Sequence, residues 1–376
     1  MKVLLACDKF KGSLSAEEVN TAIIEGIKSE VEEVSFIQKG IADGGEGFVK
    51  ALVDSTGGEL KHSRVEDAMG EVVEAEWGIV PRAGGGKAAV IEMSAASGLW
   101  RMDPQRLDPM NASTYGTGQL IRKAVEEEKV EQIYLGLGGS ATNDGGAGMA
   151  QALGVVFSDR EGVISERMCP STLKRVVSVE VSQRIALPSI TVACDVDNPL
   201  CGERGASAIF GPQKGADAEL VSELDALLLS FSTLLGGEEL VSVPGAGAAG
   251  GLGFGLLHFT PAELVSGFEL VADAVNLAEA VQEADLVITG EGKLDRQSLG
   301  GKGPMGVALL AQKYGVPCIA LAGGLDRSVD WSEYLKAAYC LADTGQPLEE
   351  LISNGTPYLR AIAAEMARDH LKGAGA

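Results

Sequence analysis

Histidine is scarce, and that excludes one large block of chemistry. The chain has three histidines among 376 residues, and His62, His258 and His370 all lie outside the glycine-rich loops. A histidine-based hydrolase or a zinc centre therefore does not fit. Basic residues are outnumbered as well, 31 Lys and Arg against 53 Asp and Glu, for a net charge of -22. A nucleic-acid backbone or an acidic membrane surface needs a basic partner and is not expected. The six cysteines contain no CxxC pair, so free thiols in a reducing compartment are expected. The opening MKVLLACDKFKGS has too short an apolar run for a signal peptide, and no stretch reaches membrane-span length. The expected location is the cytoplasm. A GxxxxGK[ST] phosphate loop is also missing.

Glycine is abundant, with 50 residues. Its densest use is residues 136–148, GLGGSATNDGGAG, where six of thirteen positions are glycine. An apolar strand enters this stretch and a helical one, GMAQALG, leaves it. Backbone N–H groups at such a junction can cradle a phosphate or carboxylate; the rival reading is a tight turn that binds nothing.

At 376 residues the length suggests roughly two to three domains. The first 58 residues read β-α-β-α, with Ser15 and Glu18 at capping-box spacing and Val19, Ile23, Ile24 and Ile27 forming a helical stripe. Parallel strands with crossover helices follow from that order. From residue 59 three strands run without an intervening helix, so an antiparallel section is expected. A hairpin is expected in VVFSDREGV, a strand in SITVACDV and a long amphipathic helix in ELVSELDALLLSFSTLL. From about residue 262 the α/β alternation returns. The expected class is α/β. Residues 1–62 and 262–376 would form a discontinuous Rossmann-like parallel-sheet domain, and 63–261 an inserted mixed α/β domain. An active-site cleft is expected between them.

The candidate chemistry sits in loops that follow strands. Asp8-Lys-Phe-Lys-Gly-Ser13 offers Lys9 and Lys11 as cations and Ser13 near a helix start; a solvated loop is its rival. Ala42-Asp-Gly-Gly-Glu-Gly47 puts Asp43 and Glu46 around Gly44 and Gly45, a composition suited to Mg²⁺ or to a plain cap and turn. Asp195 and Asp197, two apart at a strand end, would share a face if the strand stayed extended. Arg204 and Lys214 could neutralise phosphate. Gly245-Ala-Gly-Ala-Ala-Gly250 matches GxGxxG but lacks the rest of a dinucleotide unit, so tight packing competes with phosphate binding. Glu291, Lys293 and Asp295, in TGEGKLDRQS, combine one cation with two possible metal or hydroxyl partners.

In their order and spacing, DKFKGSLSA, ADGGEG, STYGTG, GGSATNDGGAGMAQALG, ACDVDNPLCG, GPQKGA, PGAGAAGGLG and TGEGKLDRQS resemble the bacterial type 1 glycerate kinase family. The resemblance runs from the first strand to beyond residue 300. It implies ATP- and Mg²⁺-dependent phosphorylation of D-glycerate, usually to 2-phosphoglycerate, in glyoxylate or sugar-acid breakdown. On that basis Lys9, Lys11 and Lys293 are expected to supply charge to phosphate and to the substrate carboxylate. Asp195 or Asp43 would orient the acceptor hydroxyl, and Asp295 with Glu291 or Glu46 would hold Mg²⁺. Ser13, Gly44, Gly45, Gly139, Ser140, Thr142, Asn143, Arg204, Lys214, Gly247 and Gly250 are the remaining candidates for binding substrate or phosphate. The protein would be a monomer or homodimer. A kinase making 3-phosphoglycerate or using a related hydroxy acid, an NAD-linked oxidoreductase and a non-catalytic organic-acid or nucleotide sensor are the other readings.

Overall fold

The computed structural model describes residues 1–372, apart from Lys11, residues 42–46, 83–84, Gln297 and residues 301–302. The chain divides into two units, Met1–Asp43 with Val271–Ala376, and Gly44–Leu270. The division falls earlier and later in the chain than 62/63 and 261/262. The reason is strand pairing: Glu59–Glu66 pairs antiparallel along its whole length with Val72–Pro81, and the helix Phe48–Thr56 buries Val49 and Val53 against Gly78 of that second strand.

The first unit is built on a five-stranded parallel sheet. Its spatial order is Ala337–Cys340, Cys318–Ala322, Leu286–Gly290, Lys2–Cys7 and Ser35–Gln38. Val3 registers with Leu286 and Phe36, so the chain's first strand lies inside the sheet. Strand Lys2–Cys7 is buried from Val3 onward and Leu286–Gly290 is buried throughout, as expected for a sheet covered on both faces. Counted within the unit, the order is 2-1-3-4-5, which reverses direction between Lys2–Cys7 and Leu286–Gly290. Ligands in open α/β sheets bind at such a reversal, beyond the strands' C-terminal ends.

Helix Ala16–Lys28 begins at Ser15, whose hydroxyl accepts from Glu18 N–H while the Glu18 carboxylate accepts from Ser15 N–H, the expected capping box. Its apolar stripe, Val19, Ile23 and Ile27, joins Val3, Leu5, Ile288, Leu321, Leu359 and Met366 in the unit's core. The C-terminal helix Gly355–His370 packs against it at Gly26.

The second unit carries a six-stranded sheet ordered Ala262–Val265, Ser189–Ala193, Gln132–Gly136, Lys87–Glu92, Val72–Pro81 and Glu59–Glu66. The first four are parallel and Val72–Pro81 runs antiparallel to both its neighbours, the mixed arrangement expected where helices drop out of the sequence. The expected hairpin is present, Ser158 opposite Val163. The core fills with Phe157, Phe231, Phe254 and Phe259, neighbouring rings 6.3–6.4 Å apart.

Gly26→Ala tests the helix contact in the first unit. A Cβ there would lie 2.4 Å from the Arg360 carbonyl oxygen and 2.8 Å from the Ala363 side chain. Helix propensity alone favours the change by about 1 kcal/mol, but the overlap opposes it. The expected net loss is about 1–3 kcal/mol by urea denaturation; a stabilised variant would show that the helices separate readily.

Candidate active site

In the first unit the two loops at the sheet's reversal begin side by side. Asp8 N–H donates to the Gly290 carbonyl at 2.8 Å, and Thr289 Oγ1 donates to the Ala6 carbonyl at 2.7 Å. Lys9 and Glu291 therefore leave adjacent strand ends. Asp8 Oδ1 accepts from Lys9 N–H at 2.7 Å, which tightens the first loop. Further along, the Ser298 hydroxyl donates to Glu291 Oε1 at 2.6 Å and accepts from Asp295 N–H at 3.2 Å. Lys293, exposed, reaches Asp295 Oδ2 at 3.4 Å. One hydroxyl thus ties together the segments carrying two of the three candidate metal carboxylates. Ser13 faces elsewhere: its hydroxyl donates to the Ile352 carbonyl at 2.8 Å and anchors its own loop. Lys11, Asp43, Gly44, Gly45 and Glu46 lie outside the described residues.

The second unit presents Glu92, Gly136, Ala193 and Val265 at the C-terminal ends of four parallel strands. Glu92 accepts from Gly47 N–H at 3.1 Å and Val49 N–H at 3.0 Å, holding the start of helix Phe48–Thr56. Most of the glycine-rich loop after Gly136 is interior. Gly138 and Gly139 are exposed, whereas residues 140–150 are buried. Gly139 has φ +72° and is exposed. Ser140 sits beside it, bridged to Gly98.

Thr142 and Asn143 turn inward. Thr142 Oγ1 donates to the Ala249 carbonyl at 3.4 Å and Asn143 Nδ2 to Ser207 Oγ at 3.0 Å. Their support centres on Asp144, absent from the expected site. Its fully buried carboxylate accepts from Thr114 N–H and Oγ1, both at 2.8 Å, and from Gly146 and Gly148 N–H, both at 3.1 Å. Burial raises its pKa and these hydrogen bonds oppose the rise. The signal was available in STYGTG and TNDGG, two strings whose polar residues turn out to bond each other.

Lys214 is likewise interior, 1% exposed, with its ammonium donating to the Thr142 carbonyl at 2.6 Å. It braces the loop and does not face an incoming phosphate. Burial pulls its pKa down to about 7, with Asp144 pulling the other way. Gly247 and Gly250 are also packing positions: a Cβ would meet the Pro199 carbonyl oxygen at 2.1 Å and that of Thr142 at 1.9 Å. Gly250 and Ala249 both adopt positive φ at the kink that opens helix Ala248–Phe259. No strand leads into this stretch, so the rest of a dinucleotide unit is missing there, as the sequence suggests.

Asp195 and Asp197 part company because the strand ends at Ala193. Asp195 Oδ1 accepts from Gly267 N–H at 3.2 Å and Ser266 Oγ at 3.4 Å, while Asp197 pairs with exposed Arg204 at 2.8 Å. Asp195 is left as the carboxylate fixed at the strand ends. Arg204 is an exposed surface partner.

These features meet in one comparison. The chain matches the glycerate kinase family over residues 3–371. It belongs to that family. It is 44% identical over 373 residues to the glycerate kinase of Halalkalibacterium halodurans, covering 97% of each chain. To the glycerate 2-kinase of Escherichia coli K12 it is 45% identical over 334 residues, 88% of this chain and 87% of that one. A crystal structure of the Salmonella typhimurium LT2 protein assigned as glycerate kinase 2 superposes with a TM-score of 0.87 at 39% identity, covering 100% of this chain and 99% of that chain. The family is one of enzymes.

Two measurements separate bracing from binding. Lys214 binds a proton in the unfolded chain up to about pH 10.5 but in the folded chain only to about pH 7, so stability rises with pH between those values. Lys214→Met is expected to flatten that rise when urea midpoints are compared at pH 7 and 9; an unchanged slope would contradict it. Gly250→Ala is expected to lose on the order of 3 kcal/mol of stability. If the variant were instead stable with a raised KM for nucleotide, Gly250 would be a binding residue after all.

Proposed function

We infer that the protein transfers the γ-phosphoryl group of ATP to the 2-hydroxyl of D-glycerate, releasing ADP and 2-phosphoglycerate. The observation that carries this reading is the family match over both units, joined to 45% identity with a glycerate 2-kinase. The oxidoreductase reading loses its main support with the burial of Gly245–Gly250, which leaves no backbone open to a pyrophosphate. The six cysteines are free, which fits an enzyme of the reducing cytoplasm.

Phosphoryl transfer requires little covalent work from a protein. Positioning and charge stabilisation do most of it. Lys9 and Lys293 leave the two strand ends that flank the sheet's reversal, and there they neutralise the phosphates and the glycerate carboxylate. Asp195, anchored through Oδ1 by Gly267 and Ser266, orients the acceptor hydroxyl and takes its proton as the O–P bond forms. Gly139 donates its N–H to a phosphate oxygen.

The donor set in TGEGKLDRQS fits Mg²⁺. That ion commonly takes one or two carboxylates and completes its shell with phosphates and water. Glu291 and Asp295 supply two, the Glu291 carboxylate accepting from the Ser298 hydroxyl, which in turn accepts from the Asp295 N–H. Among the described residues no group of three or more His, Cys, Asp or Glu is arranged as a self-sufficient metal site. When bound with ATP, the ion offsets charge on the β- and γ-phosphates.

Purified protein given ATP, Mg²⁺ and D-glycerate is expected to yield 2-phosphoglycerate by ³¹P NMR. 3-Phosphoglycerate would overturn the choice of hydroxyl, and no turnover by folded protein would overturn the kinase assignment for this substrate. Asp195→Asn and Asp295→Asn should each lower kcat by about 10²-fold or more with the circular dichroism spectrum unchanged. Near-normal turnover would remove that residue from its role.

A further inference from the structure

Trp100 is 68% exposed, whereas the other two tryptophans, Trp77 and Trp331, are 2% and 7% exposed. A large aromatic side chain out in water loses the burial that usually justifies it. Mobility could compensate through entropy, but Trp100 is held still. Its indole Nε1 donates to the Ser94 carbonyl at 3.0 Å. One face of the ring is backed by the Arg101 guanidinium, 4.4 Å from the ring centroid. Arg101 is pinned in turn, Nε to the Ala95 carbonyl and Nη2 to the Glu74 carbonyl, both at 2.8 Å. The result is a fixed indole with its remaining face open to solvent.

Its position is as specific as its orientation. Trp100 lies in the 3₁₀ turn Leu99–Arg101, on the segment that follows the C-terminal end of strand Lys87–Glu92. The preceding residues are fastened to the exposed glycine turn: Leu99 N–H donates to the Gly139 carbonyl at 2.8 Å, and Gly98 bridges Ser140. The turn that carries this aromatic ring is thus fastened to the one stretch of the glycine-rich loop that is accessible. Glycerate has no π face with which to use such a surface. A nucleotide has a flat base at one end of its ribose and phosphates at the other, and fits both features together. Arg101 adds a local positive charge in a chain of net charge -22, favourable to a polyphosphate.

The geometry points to Trp100 as the stacking platform for the adenine ring of ATP, with Arg101 as the residue that holds it in place. This rests on the kinase reading above, and the test separates the two. Tryptophan emission of the intact protein is followed during titration with ATP and, separately, with inorganic tripolyphosphate; ATP kinetics are then measured at saturating D-glycerate. ATP should quench the emission, tripolyphosphate should not, and Trp100→Phe should abolish the quench while keeping KM for ATP within about threefold, because a phenyl ring still stacks. Trp100→Ala should raise KM for ATP about tenfold, with kcat and KM for D-glycerate nearly unchanged. Equal quenching by tripolyphosphate, or an unaltered KM for ATP in an active Trp100→Ala enzyme, would overturn the platform and leave the kinase standing. Absence of glycerate-dependent turnover in the wild type would overturn the kinase reading, while ATP quenching that is lost in Trp100→Phe would still support the platform.

Discussion

The Asp144 carboxylate accepts hydrogen bonds from Thr114, Gly146 and Gly148 in a place closed to water. An ionised carboxylate stripped of solvent is strongly unfavourable unless its oxygens are otherwise satisfied. Here the satisfying groups come from the helix start at Thr114 and from the turn into helix Ala147–Ala152. Those two elements have to arrive together, and the loop before Asp144 is left with a single course. Lys214 closes it from a distant segment by taking the Thr142 carbonyl. What stays in water is Gly138 and Gly139, at the ends of the parallel strands.

Glycine serves two different ends in the second unit. Around Gly250 and Gly247 its lack of a side chain lets backbones approach to distances that no Cβ would permit. Gly139, by contrast, is exposed and turns with φ +72°. The two uses are joined by the chain through Thr142, whose carbonyl Gly250 approaches, so a closely packed interior and an exposed rim are produced by nearby residues. The first unit relies on topology instead: its order of strands brings Asp8 and Glu291 to adjoining strand ends although they lie far apart in sequence.

Much of this was legible from periodicity. The stripe of Val19, Ile23 and Ile27 and the Ser15–Glu18 spacing specify a helix locally, and both are realised. Repeated strand–loop–helix order marked the chemistry at strand ends, where Glu291, Lys293 and Asp295 do stand together. Boundaries and burial were less accessible. Helix Phe48–Thr56 looks like a continuation of the opening alternation, and its packing on Gly78 and its hydrogen bonds to Glu92 assign it to the second unit. Lys214 reads as a cation for phosphate because nothing local announces that a carbonyl from residue 142 will receive it. Asp195 and Asp197 read as a pair until the strand stops two residues short. Trp100 carries no motif at all; its meaning depends on the Arg101 and Ser94 contacts that fix it.

The first strand of the chain lies inside the five-stranded sheet, with Leu286–Gly290 as one of its two neighbours. On a ribosome Lys2–Cys7 emerges early, yet this neighbour follows only after all of Gly44–Leu270 has been made. During that interval a strand rich in Val and Leu must wait with one edge unpaired, a state prone to mispairing. The intervening unit has its own sheet and its own core, so it can form before that edge is paired. Biogenesis would then proceed from the middle of the chain outward, with the parental sheet sealed last.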